Sequence, residues 1–240
     1  MSVVSDVAAI NELLKSKNLA ERLAWIAENY DAPVYSSSLQ REGQYIIWSI
    51  ADASLPIRII TLQTGRLFPE TLALLEITQE RYGIEIEQIA PNPIAIQRYV
   101  KQHGENGFYE SVDARKSCCN VRKVQPLESV LKQADAWITG LTREQSDKRK
   151  DTQLAVWNED HQVMKFNPLA DISAQEIEEA IVSHEIPVNP LYERGYASIG
   201  CEPCTRAIKP GEHPRAGRWW WEDGDNSECG LHMPLKAANG

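Results

Sequence analysis

Residues 33–50 read PVYSSSLQREGQYIIWSI, and they give the first strand, turn and helix of the predicted fold. Residues 33–36 predict a short strand, residues 36–44 a polar turn, and Tyr45–Ile50 lies on a helix. A hydroxyl-rich turn between a strand and a helix can bind phosphate, because free backbone N–H groups and the positive end of the helix dipole face it. Serines in turns more often act as helix caps. We therefore regard three residues as candidates for binding phosphate, with helix capping as the alternative: Ser36, Ser37 and Ser38.

The same alternation of strands and helices continues along the chain. We expect strands at 57–62, 84–86 and 136–140, with an edge strand at 163–166. We expect helices within 6–30 and at 68–82, 93–101 and 173–183. This order predicts an α/β fold with a parallel, twisted sheet and helices on both faces. Ligands of such sheets bind beyond the carboxyl ends of the strands, where the serine turn and residues 62–66 both fall.

The composition changes at Pro187, where proline, glycine and charged residues replace periodic apolar patterning. We therefore divide the chain into an α/β nucleotide-binding part, 1–186, and an irregular cysteine-containing segment with a mobile tail, 187–240, within the same domain. The run Trp219-Trp220-Trp221 is interpreted as an anchor for this segment rather than as a stacking platform for a base.

Composition bounds the function before any motif does. The chain has 240 residues, 42% of them hydrophobic, and a formal net charge of −9, which disfavours broad binding to nucleic acid or anionic lipid. No stretch approaches the ~18 apolar residues of a membrane-spanning helix, and the first residues do not resemble a signal peptide. We expect a soluble, cytoplasmic protein whose thiols stay reduced.

The five cysteines suggest a metal centre and one reactive thiol. Cys118 and Cys119 are adjacent, Cys201 and Cys204 form a C-x-x-C, and Cys229 stands alone. Adjacent cysteines pair with each other only under strain, so a centre with four thiolates explains the two pairs better than disulfides do. Spacing alone leaves zinc and an iron-sulfur cluster about equally favoured.

Basic residues concentrate in three windows, 115–123, 143–150 and 206–218, which hold 12 of the 25 Lys and Arg residues. Two of these windows adjoin the cysteine pairs. If the pairs meet in space, a basic surface forms beside the metal centre and can receive a small anion. Scattered, solvated charge is the alternative.

Five motifs together resemble the assimilatory adenylyl-sulfate reductases, the iron-sulfur relatives of the phosphoadenylyl-sulfate reductases. The resemblance covers nearly the whole chain from about residue 20. It implies an adenine-nucleotide-hydrolase-like (PP-loop) fold, a 4Fe-4S cluster, and reduction of adenosine 5'-phosphosulfate to sulfite and AMP in sulfate assimilation and cysteine biosynthesis. Thioredoxin, or a glutaredoxin-like dithiol, would donate the electrons. The motifs are SCCxxRKxxPL at 117–127, TGxxREQS at 139–146, GCEPCT at 200–205, RAGRWWWE at 215–222 and ECGLH at 228–232.

The resemblance also implies a role for individual residues. Cys118, Cys119, Cys201 and Cys204 would hold the cluster, and Cys229 would be the nucleophile. The sulfate and phosphate would bind Lys123, Arg215, Arg218 and His232, with Arg143 and Arg149 also lining the site. Ser36, Ser37, Ser38, Leu62, Gly65 and Arg66 would hold the adenosine end.

The chemistry agrees with these roles on general grounds. Reducing an activated sulfate needs a soft nucleophile at sulfur and cations that offset the negative charge of the substrate. Attack by Cys229 would leave an S-sulfonate and release AMP. With the other four cysteines committed to metal, an external dithiol must expel sulfite and restore the thiol.

Two stretches depart from the family pattern and leave alternatives open. The serine turn continues as QREGQ at 40–44 where the family usually has Gly-x-Glu-Asp-Gln, and the second loop has Gln63 where the family has aspartate. A catalytically impaired nucleotide binder with a structural metal held by four cysteines is one alternative. A reductase for phosphoadenylyl sulfate, or for both substrates, is another, although phosphoadenylyl-sulfate reductases generally lack the two cysteine pairs. The oligomeric state is open, a homo-oligomer included.

Overall fold

The computed structural model describes residues 3–222, with side chains from residue 6 onward. Within that part, six strands form a sheet in the order β3-β2-β1-β4-β6-β5. The strands are β1 Pro33–Ser37, β2 Arg58–Leu62, β3 Glu87–Ile89, β4 Ala136–Ile138, β5 Ala155–Asn158 and β6 Val163–Phe166.

Eight α-helices flank the strands in the described residues. Their starts follow the usual capping chemistry: the side chain of Asn18 accepts from the backbone of Glu21, and Ser173 does the same with Glu176. The helices are α1 Val3–Lys15, α2 Leu19–Asn29, α3 Arg41–Asp52, α4 Pro69–Tyr82, α5 Pro93–His103, α6 Val112–Cys119, α7 Gln125–Leu131 and α8 Ala174–Ser183.

The centre of the sheet is parallel, as the alternation of elements predicts. Strand β1 pairs in parallel with β2 and with β4, and β4 pairs in parallel with β6. Only β5 runs antiparallel to its neighbour β6 among the pairings of β1, β4, β5 and β6. The expectation of an α/β fold with a largely parallel sheet flanked by helices is therefore confirmed.

Two strand predictions are wrong. Residues 163–166 do not form the edge strand: all four are buried, and β5 covers their outer side. Residues 84–86 precede β3 instead of forming it. The backbone N–H of Ile84 donates to the carbonyl of Gln79, and that of Ile86 donates to the Gln79 side chain, so both finish the turn that follows α4.

The serine turn is shorter than predicted. Ser36 and Ser37 are the last residues of β1, and α3 already begins at Arg41. Gly43 allows this tight junction, because a Cβ there would lie 2.9 Å from Ser37 Oγ and 3.2 Å from the Tyr35 hydroxyl. The glycine that departs from the family pattern thus lets the first turn of α3 pack closely on the end of β1.

The chain divides into two compact units. The first comprises Met1–Thr61, Ala73–Glu87 and Leu131–Asn189. Its core includes Ile46 and Ile47 of α3, Ile138 of β4 and Phe166 of β6, none of them measurably exposed. Burying each such apolar side chain stabilises the fold by about 1.5–3 kcal/mol.

The second unit comprises Leu62–Leu72, Gln88–Val130 and Pro190–Gly240, of which 223–240 lie outside the described part. One of its buried clusters joins Tyr99, Phe108 and Trp219 to three of the cysteines. No helix in the described part of either unit is long and apolar enough to cross a membrane.

Candidate active site

The first cysteine pair stands at the end of a helix that changes its pitch. Ser111 caps α6, with its hydroxyl accepting from the backbone of Ala114 at 3.1 Å, and the helix ends at Cys119. A π-helical turn, Asn120–Val124, follows directly and leads into α7. Such turns are rare and often occur at functional sites. The π-turn carries Arg122 and Lys123 immediately after the two buried cysteines.

The second pair lies at a short 3-10 helix, Glu202–Cys204, which has Cys201 as its N-cap and ends at Cys204. Cys201 forms an isolated bridge with Leu67, and the backbone N–H of Glu202 donates to the carbonyl of Arg66 at 2.8 Å. The hydroxyl of Thr64 lies 3.3 Å from Cys201 Sγ. The loop after β2 therefore holds the second cysteine pair in place.

All four of these buried cysteines line one cavity in the second unit. The empty space of this cavity, its open mouth included, is about 360 Å³. Four basic side chains share the lining: Arg66, Arg115, Arg122 and Lys123. The structure thus brings the two cysteine pairs together and places residues of the first basic window beside them.

Burial sets the electrostatics of the thiols. It raises the pKa of Cys118, with Arg122 opposing the shift. Burial, with a smaller contribution from Cys201, raises the pKa of Cys204 to about 12. The protein environment alone therefore favours the neutral thiols of Cys118 and Cys204, and their thiolates need neighbouring cations or a metal.

The cavity also carries donors that lack acceptors. Arg122 Nη1 donates to the carbonyl of Thr64 at 2.6 Å, but its buried Nε has no hydrogen-bond partner, and neither has the indole nitrogen of Trp219. Both residues line the cavity. Buried donors are normally satisfied, so these two fit an anionic, acceptor-rich group better than an empty space.

Among residues 3–222, no group of three or more His, Cys, Asp or Glu side chains is arranged to hold a metal ion.

Trp219 organises the cationic side of this unit. Two guanidinium groups lie over its ring, that of Arg115 at 4.4 Å and that of Arg218 at 4.7 Å from the ring centre. Trp219 is buried, whereas Trp220 is exposed. Gly200 leaves room for Arg218, because a Cβ at that position would collide with the guanidinium group. Arg218 Nη1 also lies within 3.4 Å of Ser198 Oγ.

The remaining predicted residues of the second unit lie at the end of β2 and on loops. Leu62 ends β2, and Gly65 has a φ of +71°, the left-handed region that glycine tolerates. Arg66 donates to the Asn106 side chain at 3.2 Å and forms an ion pair with Glu105. Arg215 precedes Arg218 in a turn closed by a 2.9 Å backbone hydrogen bond.

Five predicted residues belong to the first unit. The hydroxyl of Ser36 accepts from Trp137 Nε1 at 2.8 Å, that of Ser37 accepts from the backbone of Leu39, and that of Ser38 accepts from the side chain of Gln40. Arg143 donates to the carbonyl of Thr152, and Arg149 donates to the side chain of Gln145. Cys229 and His232, the predicted nucleophile and one anion ligand, lie outside the described residues.

Three residues with evident roles were not predicted as site residues. Arg115 and Arg122 line the cavity, and their place in the first basic window was the available signal. Glu222 forms a bidentate pair with Arg115, at 2.6 and 2.9 Å. No sequence pattern marks a partnership across 107 positions.

Comparison with known proteins gives one consistent result. The family model described as phosphoadenosine phosphosulfate reductase domain matches residues 32–207. The adenosine 5'-phosphosulfate reductase of Sinorhizobium fredii (strain USDA 257) is 49% identical over 238 residues, 99% of this chain and 95% of that protein. The enzyme of the same name from Rhizobium meliloti (strain 1021) is 51% identical over 229 residues, 95% of this chain and 86% of that protein.

Solved structures share the fold at lower identity. Phosphoadenylyl-sulfate reductase from Candida auris superposes with a TM-score of 0.74 at 21% identity, over 87% of this chain and 98% of that one. The FMN adenylyltransferase of Candida glabrata, with FAD and pyrophosphate, gives a TM-score of 0.54 at 12% identity, over 95% of this chain and 78% of that one. At such identities the likeness concerns the fold alone.

Proposed function

Because this chain belongs to the adenosine 5'-phosphosulfate reductase family, we propose that it reduces adenosine 5'-phosphosulfate to sulfite and AMP. The observation that carries the proposal is a sequence identity of 49%, over 99% of the chain, to a protein of that name. The four basic side chains that line the cavity support it, because reducing an activated sulfate needs cations that offset the negative charge of the substrate. The products would enter sulfate assimilation and cysteine biosynthesis.

The substrate is assigned by sequence similarity. Relatives at 48–51% identity carry the name of the enzyme for adenosine 5'-phosphosulfate. The solved phosphoadenylyl-sulfate reductase is only 21% identical. We therefore favour the substrate without the 3'-phosphate, and a comparison of the two nucleotides at equal concentration tests this choice.

Cys118, Cys119, Cys201 and Cys204 would hold a 4Fe-4S cluster. Four thiols on one cavity are a suitable donor set, and the donors of Arg122 and Trp219 that lack acceptors could bind the sulfurs of such an anionic group. When bound, the cluster would supply a fixed charge beside the basic side chains. Structural zinc, which also accepts four thiolates, is the alternative, although no three such side chains within residues 3–222 are grouped to hold a single metal ion. Thiols of this kind suit a reducing compartment, so we place the protein in the cytoplasm.

The reaction would proceed in two thiol attacks. The Cys229 thiolate attacks the sulfur of the sulfo group, the bond from that sulfur to the bridging phosphate oxygen breaks, and AMP leaves with the electron pair. The product is an S-sulfocysteine. A thiolate of thioredoxin, or of a glutaredoxin-like dithiol, then attacks Cys229 Sγ and expels sulfite. The second thiol of the donor resolves the mixed disulfide, so the donor becomes a disulfide and Cys229 a thiol again.

Cations would stabilise the charge that these steps move. Lys123, Arg215 and Arg218 of the second unit, with His232, would bind the sulfate and phosphate groups. Arg143 and Arg149 of the first unit would add positive charge, and Ser36, Ser37, Ser38, Leu62, Gly65 and Arg66 would hold the adenosine end. Cations that are fixed before the reaction lower its barrier because they need no reorganisation when charge develops.

A mass measurement tests the proposal directly. The as-purified protein is incubated with adenosine 5'-phosphosulfate in the absence of any dithiol and then weighed by intact mass spectrometry. We expect the wild type to gain one sulfo group, the Cys229→Ser variant to gain none, and reduced thioredoxin to remove the group as sulfite. A wild type that binds AMP but never gains mass would instead support the nucleotide-binding alternative.

A further inference from the structure

The hydroxyl of Ser36 is held by a tryptophan of the neighbouring strand. Trp137 of β4 lies opposite Val34 of β1 in the parallel register, and its indole nitrogen donates to Ser36 Oγ at 2.8 Å. Residues 34 and 36 share one face of β1, so the indole reaches along that face toward the carboxyl end of the strand. Trp137 is 1% exposed, which fixes its ring.

This contact determines what the serine hydroxyl can do. An indole nitrogen is only a donor, so Ser36 Oγ must be the acceptor, and the hydroxyl proton is left to donate elsewhere. Among the described residues, the Ser36 side chain has no other hydrogen-bond partner. Ser36 is half-buried at the end of β1, so its proton is available to an acceptor outside the sheet.

A buried cation lies on the same indole ring. Lys165 of β6 is directly opposite Trp137 in the register, and its Nζ lies 4.6 Å from the centre of the ring. Its side chain is 7% exposed, and no carboxylate within residues 6–222 pairs with it. The charge that acts on its pKa is that of Arg149, another cation. A cation over the ring draws electron density from the indole and strengthens its N–H as a donor.

We propose that Lys165 and Trp137 are positioning residues that direct the Ser36 hydroxyl proton toward an acceptor on the bound nucleotide. The inference rests on the proposed function, because it needs a nucleotide at the end of β1. The inference adds two residues to the site that were not predicted from the sequence. It also gives the order of their effects: Lys165 acts on Trp137, and Trp137 acts on Ser36.

Burying the Lys165 ammonium also lowers the stability of the fold. A contact with a purely structural role would not require such a charge. Burial and the nearby Arg149 lower the pKa of Lys165 to about 8, so the ammonium is held where it is disfavoured. A methionine would fill much the same space without that cost. The alternative reading is that Ser36 merely satisfies the buried indole N–H.

Double-mutant cycles on nucleotide affinity separate these readings. AMP binding to the full chain is measured by isothermal titration calorimetry for wild type, Ser36→Ala, Trp137→Phe and the double variant. We expect each single substitution to weaken binding about three- to tenfold, the loss of one neutral hydrogen bond. The double variant should bind as Ser36→Ala does, because Trp137 acts through the serine. Full additivity, or a Trp137→Phe variant with unchanged affinity, would overturn the inference.

Lys165 provides a second cycle that leaves the indole intact. Lys165→Met should weaken AMP binding in the wild-type background and have no effect in Ser36→Ala, while Lys165→Arg, which keeps a cation over the ring, should retain affinity. This cycle also decides the matter if Trp137→Phe does not fold. A Lys165→Met protein that binds AMP as well as wild type contradicts the role assigned to the lysine.

The outcomes distinguish this inference from the proposed function. If the wild type binds no AMP and gains no sulfo group, both the proposed function and the positioning role are wrong. If the wild type gains the sulfo group and binds AMP, but the double-mutant cycles are additive, only the positioning role is wrong.

Discussion

Arg115 and Glu222 form a bidentate ion pair at 2.6 and 2.9 Å with both side chains almost completely buried. The pair joins α6, three residues before Cys118, to the segment that follows Trp219. Because Arg115 also packs on the Trp219 ring, one guanidinium group connects the helix of the first cysteine pair with the tryptophan that lines the cavity.

Removing the charge of Glu222 should destabilise the protein strongly. Glu222→Gln removes the negative charge of a carboxylate that pairs with a buried guanidinium, and losses of about 3–5 kcal/mol are usual when one partner of a buried ion pair is removed. Urea unfolding followed by circular dichroism measures the change in the free energy of unfolding. Glu12→Gln is the matched control, since Glu12 pairs with Lys15 on the surface, and it should change stability by less than about 0.5 kcal/mol. Equal effects of the two substitutions would contradict the importance of the buried pair.

Lys165→Met should stabilise the protein at pH 7 and lose that advantage as the pH rises. The pKa of Lys165 is lowered from 10.5 to about 8 in the folded protein, chiefly by burial. The folded state therefore binds fewer protons than the unfolded state between about pH 8 and pH 10.5, and stability rises with pH across that window. Below pH 8 the full penalty of roughly 3 kcal/mol applies, less about 1 kcal/mol from the contact with Trp137.

The measurement is the free energy of unfolding of both proteins at pH 7 and at pH 10. The difference between wild type and Lys165→Met should shrink markedly at the higher pH, whereas Lys15→Met, at an exposed lysine, should show no such trend. A wild type that is more stable than Lys165→Met at pH 7 would show that burial of the ammonium is not the dominant effect.

Gly200→Ala should impair function more than folding. The added methyl group would collide with the end of the Arg218 side chain, which can move away at little cost. The displaced guanidinium would leave the position from which it is proposed to bind the anion, and we expect formation of the sulfo adduct to slow about tenfold or more. Adding Arg218→Ala to Gly200→Ala should cost nothing beyond Arg218→Ala alone. An additive loss would mean that the glycine matters for another reason.

The division of the cysteines can be tested by metal analysis. Cys201→Ser should lose iron and acid-labile sulfide and unfold more readily, because metal binding stabilises the folded state. Cys229→Ser should retain the iron and sulfide of the wild type while losing the sulfo adduct. Zinc in place of iron in the wild type would refute the cluster, and loss of metal from Cys229→Ser would refute the separate role of that thiol.

Local patterns in the sequence predicted most of the elements. Ser173 marks the start of α8 and residues 33–37 form β1 because caps and short apolar runs act over a few neighbours. The β5–β6 hairpin was missed because residues 155–158 carry a short strand signal whose meaning depends on a partner across a turn. β3 was misplaced because Ile86 is buried and Ile84 partly buried, although neither belongs to a strand.

The site divides in the same way. The four cysteines could be grouped from their spacing, and the structure places them on one cavity. The pairing of Arg115 with Glu222, and the contacts of Trp137 with Ser36 and Lys165, could not be predicted. Each joins residues that are distant in the chain and carries no local motif, so tertiary packing alone defines it.

The π-turn after Cys119 has a geometric consequence for the residues beyond it. A π-turn corresponds to one extra residue within an α-helix, and each residue advances a helix by about 100°. Deleting a single position between Cys119 and Arg122 would restore the regular pitch and rotate the following guanidinium and ammonium groups about a quarter-turn away from the sulfurs. The extra residue therefore sets the direction in which the Arg122 and Lys123 side chains leave the helix. Their position beside the cysteine sulfurs depends on that one inserted residue.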